Sequence, residues 1–162
     1  MQSEAITKLT ARYSIREDRI IVDCVIHTGD DLQLALTQRL SRAIVSELVR
    51  QVIERNDNPL MHEFAQDDAI STKQQSEAVQ VAGDQLAWLV THVHFQKIEA
   101  GARVIFTGNN LRAVHLDCSD AVLRNIIDIF HKSFVAAEWD LGVFPDWAAG
   151  QAGAAPQSQV IN

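Results

Sequence analysis

The feature that most constrains this chain is a phrase it uses twice. Residues 25–37 read VIHTGDDLQLALT and residues 104–117 read VIFTGNNLRAVHLD. Val25, Ile26, Thr28, Gly29 and Leu32 recur at one constant offset as Val104, Ile105, Thr107, Gly108 and Leu111. Around each copy the hydrophobic period changes in the same way, from two to nearly four. Period two marks half-buried strands and the longer period marks an amphipathic helix. The repetition therefore predicts an architecture of two similar halves, and predicts no chemistry by itself.

In the first half, residues 5–15 alternate, with Ala5, Thr7, Leu9, Ala11, Tyr13 and Ile15 on one face. The polar REDR (16–19) reads as a turn, and the β-branched run IIVDCVIH (20–27) reads as a second strand. TGDD (28–31) is a hairpin turn in which Gly29 supplies positive φ, and LQLAL (32–36) is a third strand. Thr37 then caps a helix whose apolar face is Leu40, Ile44, Leu48 and Val52, stopped by Asn56–Pro59. The second half follows the same plan. LAWLVTHVHFQKI (86–98), ARVIFT (102–107) and LRAVHL (111–116) are strands, and Asp117 is the expected cap of a helix buried through Val122, Ile126, Ile129, Phe130 and Phe134. The expected fold is α+β, an internal duplication of a β-β-β-α unit with an antiparallel sheet packed against two helices. The two pseudo-repeats span 5–55 and 86–139 of a single domain covering 1–147.

Between them lies 56–84, acidic and rich in Gln, Ser and Asp, a composition that buries little apolar area. It reads as a mobile linker, with Leu60, Met61 and Phe64 as residues that could dock on the body. The low-complexity stretch 148–162 reads as a disordered tail.

The net charge is −7, and residues 56–83 hold one Lys against five acids, so more than half of the deficit lies there. Residues 1–55 balance eight Lys and Arg against eight Asp and Glu, which leaves room for a locally basic face. No apolar run is long enough for a membrane span, and the first residues carry no basic-then-apolar leader. The expected location is the cytoplasm, where Cys24 and Cys118 would stay as thiols in the core. There is no G-x-S-x-G elbow, no P-loop and no G-x-G-x-x-G, and no cofactor is expected.

Three sets of residues are candidates for function. His92 and His94, two apart on one strand, share a face; with His115 on a later strand, and Asp117 beside it, they form a possible set of imidazole ligands for a transition metal in an enzyme. Lys8, Arg12, Arg16, Arg103 and Arg112, interleaved with Tyr13, Trp88 and Phe95, offer cations beside aromatic platforms, as single-stranded nucleic-acid binders do. The element order also resembles the Whirly/PUR-alpha/PC4-like fold, whose units carry four strands and a helix where three strands per unit are counted here. That resemblance implies a single-stranded nucleic-acid partner on the sheet. The third set is the aromatic run AEWDLGVFPDW (137–147), in which Trp139, Leu141, Phe144 and Trp147 must be covered by the chain's own core or by another subunit. The leading expectation is a non-enzymatic binding or assembly module, a homodimer through these aromatics.

Overall fold

The computed structural model describes residues 2–55, 58–72, 79, 81 and 87–150. Most of the segment expected as a linker beyond Thr72, and the tail from residue 151, lie outside the described residues. The architecture is α+β: among the described residues there are six strands and three α-helices, with a short 3-10 turn after the last helix. The strands are β1 (Glu4–Ser14), β2 (Arg19–Ile26), β3 (Asp31–Leu36), β4 (Trp88–Ile98), β5 (Gly101–Gly108) and β6 (Ala113–Cys118). The helices are α1 (Gln38–Ile53), α2 (Pro59–Thr72) and α3 (Asp120–Ala137), and the 3-10 turn spans Asp146–Ala149.

The sheet closes on itself in chain order, β1 to β6. Within each set of three the strands are antiparallel and paired over most of their length. The two seams between the sets are parallel and short: Glu4 and Ala5 face Val114 and His115, and Leu34 and Ala35 face Trp88 and Leu89. α1 and α3 share one core with the strands. Ile44, Val45, Leu48 and Val52 of α1 are buried there with Ile126, Ile127, Phe130 and Phe134 of α3, joined by Val22, Leu34, Leu36, Val104 and Val114 from the strands. Each such side chain contributes about 1.5–3 kcal/mol by leaving water. The void enclosed among them is about 20 Å³, room for a single water-sized sphere and too small for a ligand.

Three pairs of elements begin at a spacing slightly longer than that of the repeated phrase. β2 and β5 begin at Arg19 and Gly101, β3 and β6 at Asp31 and Ala113, α1 and α3 at Gln38 and Asp120, and the interval is the same for each pair. The hairpins show why. Ile26 N–H donates to Asp30 O at 3.0 Å and Gly29 N–H to Ile26 O at 2.8 Å; Gly108 N–H donates to Arg112 O at 3.0 Å and Leu111 N–H to Gly108 O at 3.1 Å. Gly29 has φ +91° and Leu111 has φ +62°. Leu111, and not Gly108, therefore occupies the left-handed position that Gly29 fills in the first half. The TG of the second copy sits at the end of a strand and outside the tight part of the turn. As a result β6 starts at Ala113, later than expected, and the cap of α3 moves from Asp117 to Ser119, whose side chain accepts from Val122 N–H. Thr37 caps α1 as expected, accepting from Leu40 N–H at 3.2 Å.

Two other expectations change. A register shift between Ile6 and Lys8 turns Ile6 inward and Thr7 outward, and Ile15 falls in the following turn, exposed. The supposed linker holds α2. Asn58 accepts from Leu60 N–H at 3.1 Å through its side chain, and Pro59 takes the first helical position, where its missing N–H costs nothing. The Asn-Pro pair that follows α1 therefore starts the next helix.

Candidate interaction surface

The three imidazoles lie on the outer face of the second half. His94 pairs with Ile105, which pairs with His115, so a strand and an isoleucine separate the two histidines by about 10 Å. His92 stands opposite Thr107. His115 Nδ1 is 2.8 Å from Ser3 Oγ, and His92 Nδ1 is 3.1 Å from Thr91 Oγ1. Among the described residues no group of three or more His, Cys, Asp or Glu is arranged to hold a metal ion.

The basic set is spread over the outer surface, and three of its members already face carboxylates. Arg12 Nε is 3.4 Å from Asp23, which is buried and also accepts from Gln33 Nε2 at 2.6 Å. Arg103 grips Asp117 through two bonds of 2.5 and 2.8 Å, and that pairing holds the Asp117 carboxyl below its ordinary range. Arg112 donates to Glu4 at 3.0 Å and lies 4.6 Å over the Trp88 ring. Lys8 and Arg16 are exposed and make no ion pair among the described residues.

The C-terminal aromatics pack inside their own chain. Trp139 meets Tyr13 and Phe134 edge-on at 5.7 and 5.1 Å, and Phe144 meets Phe134 and His131 in the same way. Trp139 and Trp147 are buried, Phe144 is half-buried, and Leu141 is exposed. The exit of the chain toward them is set by Glu138, which ends α3 in the left-handed conformation.

Trp147 leads to the part of the molecule that sequence reasoning missed. Its ring stacks on His62 of α2 at 5.0 Å and lies 5.5 Å from the guanidinium of Arg124. Arg124 is buried; it donates to Asp120 at 2.8 Å and to the His62 carbonyl at 3.2 Å, and its remaining terminal nitrogen is 3.0 Å from His62 Nδ1. Gln66, fully buried, donates to the Arg124 carbonyl at 2.9 Å, while its own Oε1 has no hydrogen-bond partner among the described residues. α2 is thus anchored by polar groups. Its buried residues are His62, Gln66 and Ala69; Ile70 is half-buried, and the large apolar residues Leu60, Met61 and Phe64 point outward, each about half exposed. This is the reverse of the usual amphipathic helix, and it is why residues 59–72 carry no helical signal in their apolar spacing. Docking of Leu60, Met61 and Phe64 on the body is not what the chain does; the structure turns them away from it.

A second recess lies between α1 and β4, a groove of about 330 Å³ lined by Leu40, Ala43, Ile44, Glu47, Val93, His94 and Phe95. Glu47 in its wall is engaged by Arg50 and Gln51.

Compared with known proteins, the chain matches no family model, no curated protein and no solved structure.

Proposed function

We propose that this chain is a non-enzymatic binding and assembly module that works through protein contact. The observation that carries the reading is the outward face of α2. Three large apolar side chains stand together in solvent on a helix whose inner face is fixed by hydrogen bonds. Contiguous exposed apolar surface of this kind marks interaction sites, and a helix held rigidly from behind loses little entropy on docking. A contact between copies, expected from the sequence at Trp139, Leu141, Phe144 and Trp147, is better offered by this face, since both tryptophans are buried in the core of their own chain. The interval shared by the starts of β2 and β5, β3 and β6, and α1 and α3, from which β1 and β4 depart slightly, supports a duplicated β-β-β-α unit as the scaffold.

The nucleic-acid reading, with its likeness to Whirly/PUR-alpha/PC4-like folds, has less beneath it. Arg12, Arg103 and Arg112 would each have to leave a carboxylate before meeting a phosphate.

A photo-crosslinking side chain placed at position 64, and at position 8 as an exposed control, tests the proposal in cells. A discrete adduct from 64 and none from 8 is the expected result. Its mass shows whether the partner is a second copy or another protein. Adducts from neither position, or indistinguishable adducts from both, would remove α2 as the docking face.

A further inference from the structure

Resting on the reading of α2 as a docking face, we infer that its occupant is a basic amphipathic helix of another protein. The apolar stripe made by Leu60, Met61 and Phe64 covers just over one turn of α2, enough to seat one crossing helix. Its border is acidic. On the helix circumference Asp67 and Glu63 follow one flank of the stripe, and Asp68 continues it toward the C-terminal end, exposed. Among the residues of α2 there is no Lys or Arg, and the only basic-type side chain, His62, is turned into the protein. The 3-10 turn packed against α2 adds Asp146, also exposed.

A partner for this surface must bring apolar side chains three and four apart, flanked by Lys or Arg. A second copy does not meet that description. Two α2 helices crossing at Phe64 would set Glu63, Asp67 and Asp68 against the same carboxylates, and like charges across an interface are selected against. Nucleic acid and anionic lipid fail for the same reason.

The test uses the full chain and two helical peptides with the same Leu-rich stripe, one flanked by Lys and Arg and the other by Glu. Binding is followed by fluorescence anisotropy at low and high salt, beside native mass spectrometry of the chain alone. The basic peptide should bind, weaken as salt rises, and lose binding to Phe64→Asp; the acidic peptide should not bind. Combined replacement of Glu63→Gln, Asp67→Asn and Asp68→Asn should weaken the basic peptide about tenfold. Circular dichroism checks that these surface variants keep the fold. Equal, salt-independent binding of both peptides overturns the basic partner and leaves the docking face standing. So does a dimer abolished by Phe64→Asp with no peptide bound. No binding and no self-association removes both.

Discussion

At the scale of single residues, Leu111 shows how a local cost is carried by a fold. It holds φ +62° and is 74% exposed, so its side chain gains little from burial while its backbone sits where a Cβ is unfavourable. The first half solves the same turn with Gly29. Leu111→Gly should therefore stabilise the protein by about 0.5–1 kcal/mol, after the entropy that glycine loses on folding is subtracted. Chemical denaturation read by the tryptophan signal checks this; an unchanged or lower midpoint would mean that the turn is not strained there. The two cysteines are the opposite case. Burial pushes both the Cys24 and the Cys118 thiol up to about 12, which leaves them protonated core residues, as their sequence context implied.

At the scale of elements, α2 raises the question of what holds a helix whose inner face is polar. Arg124 is the centre of the answer, because it bridges Asp120 on its own helix to His62 on α2 and lies against Trp147. Arg124→Ala leaves the His62 carbonyl and Nδ1 without that donor in a buried site and should cost about 2–4 kcal/mol. Limited proteolysis should then cut within α2 before the rest of the chain unfolds. Gln66→Leu is the informative contrast. It gives up one bond to a carbonyl and also removes a buried oxygen that has no hydrogen-bond partner among the described residues, so it should change stability by less than about 1 kcal/mol. If Gln66→Leu proved as damaging as Arg124→Ala, the polar anchor would be a cooperative network instead of one arginine and its neighbours.

At the scale of the whole molecule, stability should respond to acid in two stages. His131 is half-buried beneath the C-terminal segment, against Phe144, and desolvation holds its pKa below the usual 6.5. Asp128 acts in the opposite sense and does not reverse the shift, while Lys132 adds to it. A histidine whose pKa is lower in the folded state is neutral in both states at high pH; as pH falls below 6.5 the unfolded chain takes up the proton first and gains. The melting temperature should therefore be level between neutral pH and about 8, below the range in which the unfolded thiols ionise, and decline below about 6.5, and His131→Gln should remove that acid-side decline. The second stage belongs to Asp117. Its carboxyl is held below the usual 3.8 by Arg103, so its contribution is present above that value and is lost below it. A His131→Gln profile that still fell between about pH 6.5 and 5 would place the acid-sensitive contact elsewhere.

What the sequence determined by itself was local. Alternation located the strands, the change of period located α1 and α3, and Thr37 marked the start of α1, because each of these signals is written in neighbouring residues. The buried faces of α1 and α3 were legible for the same reason. The residues with functional chemistry were readable only as types. Their partners, Asp23 for Arg12, Asp117 for Arg103 and Glu4 for Arg112, come from other strands, and the pairing is set by register. The repeated phrase does not coincide with the tight turns, where Leu111 and not Gly108 holds the positive φ that Gly29 holds, since turn geometry answers to hydrogen bonding and φ, not to letters. Tertiary structure alone decided α2. Its inner face is made of His62 and Gln66, which become buried groups only when Arg124 and Trp147 arrive from the far half of the chain to satisfy and cover them. No local window of sequence contains both sides of that contact, so which face of α2 meets solvent was settled by the packing of distant segments.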